Sequence, residues 1–343
     1  MTLSLFAAEH NVIAVPQVRP APAAKPRRAD GSEFFADLPA LDDPDAIEPA
    51  EALIKWVGGK RTLVAKRPDL FRTPSGRVHI PCVGGGALFF MRYPGSTARL
   101  SDINERLVNA YLATQADARR VASEVNSLVA QYELARAHDG SMSALAQVHA
   151  AAREGLDEGD SFQRAAKFFF VVIWGFNGLY RENSAGQCNT PHGDGTFKTF
   201  SLPRLLDCQH ALRNAEIVRA DFETALADAV VGDFVYLDVP YAPVSKTASF
   251  TSYAAGGSWG HATGQTSIDG LGTKSDRQRL VELLADLDRR GVDWTLSDAD
   301  TPETTALYAS WNIERVEMAR NVNSKGGRRG AVSELVIRGG VKG

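Results

Sequence analysis

From Glu51 onward, short apolar runs of β type alternate with stretches whose apolar residues recur every three or four positions. This is how a sheet covered by helices appears in a sequence. The runs predict strands at Arg77–Cys82, Ala98–Asp102, Glu216–Ala220, Asp233–Asp238, Asp293–Ser297, Ile313–Met318 and Val332–Ile337. Between the second and third, residues 112–200 read as helical up to Gly175 and then as turns rich in Gly, Asn and Pro. That interruption predicts an inserted subdomain, with the α/β domain built from 49–111 and 201–340 around it. The run FFFVVIW, Phe168–Trp174, reads as a buried helix segment. It is far shorter than the roughly 20 apolar residues a bilayer requires, so no membrane partner is expected.

Two segments lack either period. Residues 1–48 mix Pro, Ala and charge and predict a disordered tail, whose basic cluster Arg19, Lys25, Arg27 and Arg28 reads as a solvated linker. Residues Ala254–Gly272 form a Gly-, Ser- and Thr-rich loop of the kind that a ligand orders. A length of 343 residues with 44% hydrophobic and 23% charged content leaves ample material for a core. It excludes a wholly disordered, collagenous or coiled-coil chain. The net charge of -3 excludes a globally basic polyanion binder, so contact with nucleic acid would fall to local patches. Two such patches stand out: Lys55, Lys60, Arg61, Lys66 and Arg67, with no acid among residues 55–67, and Arg320, Lys325, Arg328 and Arg329. Cys82, Cys188 and Cys208 form no C-x-x-C pair, and the N-terminal stretch lacks the charged start of a secretory signal. Both features point to a cytoplasmic protein.

Candidate chemistry lies at two strand ends. After VHIPC, the turn Gly84-Gly85-Gly86 opens a helical run, and Asp102 closes the next strand. Glycines there let backbone approach a ligand, and a carboxylate at that place can accept both hydroxyls of a ribose. The pair suggests an adenosine-containing cofactor, although a structural tight turn or a dinucleotide fold reads similarly. Asp238-Val239-Pro240-Tyr241 ends the strand FVYLD. Its carboxylate and a neighbouring carbonyl could accept the two N–H bonds of an exocyclic amine while the Tyr ring stacks on the base. A strand-ending turn is the plainer alternative.

In combination the motifs reach a family. KWVGGKR (Lys55–Arg61), PCVGGGALFF, SDINERL, FNGLYRENSAGQCNTPHG, ADF, FVYLDVPY followed by APVSKTASFTSY, and SKGGRRGAVSELVI occur in this order. They resemble the Dam-type, D12 class, DNA adenine-N6 methyltransferases of the α group, over residues 52 to 338. The resemblance implies an α/β, Rossmann-like S-adenosylmethionine-dependent methyltransferase fold with a seven-stranded mixed sheet and an inserted helical target-recognition subdomain. It implies methyl transfer from S-adenosylmethionine to N6 of a flipped adenine in double-stranded DNA, with no metal. A cognate restriction endonuclease is a candidate partner.

Carried over by position, Lys55, Trp56, Gly58 and Lys60 would form the N-terminal cofactor motif, its basic group facing the methionine carboxylate. Gly84 and Gly86 would surround the methionine part, Asp102 would hold the ribose, and Asp221-Phe222 the cofactor adenine. Asp238, Val239, Pro240 and Tyr241 would be catalytic, Asp238 also lying beside the cofactor. Arg181, Asn183, Asn189 and Lys198 fall in a DNA-contacting hairpin. Ser245, Thr247, Phe250 and Tyr253 fall in a loop that closes on DNA.

The chain departs from the family at Val239, where Pro is usual, at Ile80, where an acid is usual, and at Cys82, where Phe is usual. The carbonyl of residue 239 survives the change, so chemistry is expected to be retained at a reduced rate. The alternatives are an inactive DNA- or cofactor-binding relative and an N4-cytosine enzyme. A nucleotide-dependent oxidoreductase would leave the Asp238 tetrapeptide unexplained. Cys188, His192, Cys208 and His210 lack a standard zinc spacing.

Overall fold

The computed structural model describes residues 47–183, 185–196, 198, 200–241, 276–319 and 331–340. All seven expected strands form: β1 Val78–Pro81, β2 Ala98–Asp102, β3 Ala215–Arg219, β4 Phe234–Asp238, β5 Asp293–Ala299, β6 Asn312–Ala319 and β7 Ala331–Gly339. They make one sheet in the order β3-β2-β1-β4-β5-β7-β6. The first five lie parallel, whereas β7 runs antiparallel to both β5 and β6, so the sheet is mixed.

Side-chain alternation along β4 divides the core between the two faces. Phe234 and Tyr236 join one buried cluster with Val78, Ile80, Leu100 and the helices after β2. Val235 and Leu237 join the other, with Phe222, Trp294 and the leucines of a helix at Asp276–Arg289 (called α8 below). Strand order reverses at β1 and β4, whose carboxyl ends therefore border the crevice where sheets of this kind take ligands.

Chain-order labels for the remaining helices are α1 Arg61–Lys66, α2 Ala87–Arg92, α3 Glu105–His138, α4 Met142–Glu154, α5 Ser161–Trp174, α6 Leu202–Ala211, α7 Phe222–Ala225 and α9 Pro302–Leu307. Helix α3 crosses position 112, the sequence boundary of the insertion, without stopping. Its backbone leaves the helical region at Asp117 (φ −159°, ψ 92°). There the Asp117 carboxylate accepts from the Arg120 N–H, as a cap at a new start would. Gln209 on α6 bridges the break: its amide oxygen accepts from Ala118 N–H, and its nitrogen donates to the Gln115 and Ala116 carbonyls. A side chain thus replaces helix bonds lost at the kink.

Helix α5 begins in a capping box made by Asp160 and Gln163 and carries the FFFVVIW run into the core. Of the expected tail 1–48, only Ile47 and Glu48 are among the described residues, and Ile47 is buried against Gly95. The 254–272 loop, Ser245, Thr247, Phe250, Tyr253 and the basic cluster Arg320–Arg329 lie outside the described residues. Among the described residues, no helix is long and apolar enough to cross a membrane.

Candidate active site

The turn after β1 is shaped by what its neighbours leave room for. Gly86 sits at φ 76°, and a Cβ there would meet the Tyr111 hydroxyl at 2.4 Å. That hydroxyl donates to the Gly84 carbonyl at 2.9 Å. Trp56 lies against Gly84, where a Cβ would meet the indole at 2.8 Å. A left-handed conformation and a filled space together exclude side chains at both positions.

Asp102, at the carboxyl end of β2, ties this turn to the next strand. One carboxylate oxygen accepts from the Gly84 N–H (3.1 Å), the other from the Asn104 N–H (3.0 Å). Burial raises its pKa, against the pull of those N–H groups and that of Ile103. Each oxygen keeps a further acceptor position, which suits a pair of hydroxyls. The neighbouring Cys82 thiol is pushed well up by burial and by the charges of Asp102, Asp238 and Asp221. Asp102 and Asp238 thus stand at the carboxyl ends of β2 and β4, the two strands that flank β1.

At the end of β4, Asp238 meets Lys60 at 2.7 Å, and Lys60 also meets Glu334 of β7 at 3.2 Å. The Lys60 ammonium donates as well to the Gly58 carbonyl (2.8 Å), so all three of its hydrogens are engaged. Tyr241 donates its hydroxyl to Glu334 and lays its ring 4.8 Å from the Lys60 nitrogen. Exposures of 6% for Lys60, 22% for Asp238 and 12% for Glu334 make Asp238 the member open to a ligand. Burial alone would pull Lys60 down, but the two carboxylates hold it well above its ordinary value. Burial raises both acids while Lys60 pulls them back, and the Asp238 charge pushes Glu334 further up. Val239 is buried in the apolar cluster with Phe222 and Leu237.

Other residues singled out in the sequence fall in several places. Lys60 is buried on Asp238 and Glu334, while the Lys55 ammonium donates to the Asn177 carbonyl (2.7 Å). Phe222 is 4% exposed, with the Arg279 guanidinium 4.9 Å from its ring centre. Asp221 pairs with Arg279 and caps α7 through Thr224. Burial opposes these contacts, yet they hold its carboxyl below the usual range.

In the hairpin, Arg181 and Asn189 are exposed and Lys198 is half-buried. Asn183 is occupied within the turn: its oxygen accepts from Ala185 and Gln187 N–H, and its nitrogen donates to the Gln187 side chain. Cys188, His192, Cys208 and His210 engage separate partners, namely Thr190, Tyr132, the Glu51 carbonyl and Arg213.

Three further residues bound into these contacts, Glu334, Tyr180 and Arg106, were not singled out in the sequence. Glu334 shares a strand face with Val336 in the run AVSELVI, and an acid on such a face was the available signal. Tyr180 stacks on Trp56 (5.7 Å, 15°) and binds Glu182, which links the glycine turn to the hairpin. Arg106 donates to both Tyr180 and Glu182 at 2.9 Å. Arginine 106 lies in the SDINERL motif with no local hint of this reach.

Comparison with known proteins supports the same reading. The D12 class N6 adenine-specific DNA methyltransferase model matches residues 56–322. The chain is 31% identical to the type II methyltransferase M1.LlaDCHI of Lactococcus lactis, over 82% of this chain and 93% of that protein. It is 31% identical to the type II methyltransferase M.MjaIII of Methanocaldococcus jannaschii, over 83% and 97%. Identity to the DNA adenine methylase of Escherichia coli K12 is 29%, over 83% and 94%. Strand order, crevice and comparisons agree, and the chain belongs to the D12 class N6 adenine-specific DNA methyltransferase family.

Proposed function

We propose that the crevice binds S-adenosylmethionine and that Asp238, Val239, Pro240 and Tyr241 present the N6 amine of a flipped adenine from duplex DNA to it. The observation that carries this reading is Asp238 itself, partly open at the end of β4, the strand that pairs with β1 ahead of the glycine turn. The residues present fit the donor. Asp102 keeps acceptors for ribose hydroxyls, Gly84 and Gly86 bring bare backbone to the crevice, and Lys55 keeps donors for a carboxylate. When bound, S-adenosylmethionine supplies a methyl group activated by a sulfonium charge.

Lys60, 2.7 Å from Asp238, opposes the burial that raises that acid's pKa and so favours the carboxylate form, which can accept one amine N–H while the Val239 carbonyl accepts the other. Pro240 adds no competing N–H, and Tyr241 offers a ring for stacking. Burial of Val239 in the core fixes the turn without the ring of a proline at that position, which supports retained chemistry. The helical segment 112–200 serves as the target-recognition subdomain, with Arg181, Asn189 and Lys198 on its DNA side and Asn183 shaping the hairpin. With DNA as substrate, the enzyme works in the cytoplasm at the nucleoid.

The test is nucleoside mass spectrometry on methylation-free duplex DNA incubated with the protein and S-adenosylmethionine. N6-methyladenine is expected with the wild type and not with Asp238→Ala. N4-methylcytosine would change the target, and full activity of Asp238→Ala would overturn the catalytic assignment.

A further inference from the structure

Around Lys60 the charges do not balance. One ammonium faces two carboxylates, Asp238 and Glu334, and its three hydrogens are already used. Among the described residues, the other elements packed around Glu334 supply no free cation. From β4 comes Tyr236, buried and bonded to Ser297, and beyond the strand Tyr241, whose hydroxyl donates to Glu334. From β5, whose Ala299 pairs with Glu334, comes the fully buried Asp298. Its charge is met by Arg277 of α8 at 3.5 Å and by the Tyr308 hydroxyl at 3.0 Å. The opposite neighbour on β6 is the apolar Val316. Asp102, at the end of β2, is held by backbone N–H groups and brings no cation. Among the described residues, the Lys60 cluster therefore holds one more carboxylate, at Glu334, than its single ammonium balances.

We infer that Glu334 is a specificity-determining residue for the charge of the nucleoside: it makes the crevice favour the cationic methyl donor over the neutral demethylated product. This rests on the methyl-donor reading above. A methyl group that must reach an amine held by Asp238 carries its sulfonium to the same end of the crevice, where the uncompensated carboxylate lies. The product lacks that charge, so a proton must compensate the carboxylate pair in its place. Burial and mutual repulsion of Asp238 and Glu334 favour such a proton. Binding of the product is accordingly coupled to proton uptake, and binding of the donor is not. At an effective dielectric of about 20, one charge several ångströms away changes affinity by about tenfold or more.

The experiment is isothermal titration of the full chain with S-adenosylmethionine and with S-adenosylhomocysteine, from pH 6 to 9, for wild type and Glu334→Gln. Gln keeps the shape and an acceptor for Lys60 and Tyr241. In the wild type, affinity for S-adenosylhomocysteine is expected to fall as pH rises while that for S-adenosylmethionine stays level. In Glu334→Gln at pH 8, the preference for the donor over the product is expected to drop about tenfold. Equal pH profiles for the two nucleosides in the wild type would overturn the inference, and this arm stands even if the variant fails to fold. A folded variant whose preference shifts less than twofold would overturn it too. If neither nucleoside bound the wild type, the methyl-donor reading itself would fall.

Discussion

His149 offers a prediction whose size follows from its surroundings. The imidazole is fully buried between α4 and α5, where its Nε2 meets the Val171 carbonyl at 3.0 Å. Its Nδ1 is buried without a hydrogen-bond partner. Burial pushes its pKa down from the ordinary 6.5 to about 4, helped by the charges of His192 and Arg153 and opposed by the Val171 bond. In the unfolded chain the ring protonates near its ordinary value, so between these limits protons favour unfolding. The stability in question is present above the unfolded pKa and is lost as pH falls. Converted at about 1.4 kcal/mol per unit, the full effect is about 3 kcal/mol, of which about 2 kcal/mol is lost between pH 7 and pH 5. Urea unfolding of wild type and His149→Gln at both pH values measures it, since Gln keeps a donor for Val171. The wild type should lose about 2 kcal/mol more than the variant over that interval. The remaining drop belongs to groups such as His79 and His192, whose pKa values burial also lowers. Equal losses in the two proteins would show that His149 protonates without cost and would refute the reasoning.

Other outcomes follow from the same geometry. Lys60→Met strands two buried acids and should cost about 3–5 kcal/mol in urea unfolding, with part recovered on adding Glu334→Gln. Gly86→Ala places a Cβ at 2.4 Å from the Tyr111 hydroxyl at a left-handed φ, and should lower the thermal midpoint by a loss of about 2 kcal/mol or more. Arg181→Ala should weaken duplex binding and reduce the slope of log affinity against log salt by about 1, whereas Asn183→Ala should leave that slope unchanged.

What could be read from the sequence was what is local. Strand β2 falls on its expected residues, and the others within two positions, because period and residue type act over a few neighbours. The positions of Asp102 and Asp238 were legible for the same reason: each ends an apolar run and so stands at the carboxyl edge of the sheet. The partner of Lys60 could not be read in this way. A lysine in a basic stretch suggests an anion, yet this one meets Asp238 and Glu334, which reach it from β4 and β7 only once the sheet is assembled. Asn183 shows the converse. Its place in a polar hairpin suggests contact with DNA, while its amide is spent on the turn that shapes the hairpin. Helix α3 passed its expected boundary because the break at Asp117 is repaired by Gln209, a residue on another helix.

The sheet order has a kinetic consequence. Strand β7 lies between β5 and β6, so the hairpin of β6 and β7 must dock through its second strand. Until it does, β5 shows an open edge with apolar Trp294 and Leu296 beside it, the kind of edge that recruits strands from other chains. The same docking closes contacts as remote as Arg67 with Glu314, 247 positions apart, and delivers Glu334 to Lys60. Contacts that distant form late, so weakening the hairpin should quicken unfolding more than it slows folding. Loss of the charge cluster and exposure of a sticky edge would then be one event, and methyltransferase activity and solubility should decay together on heating.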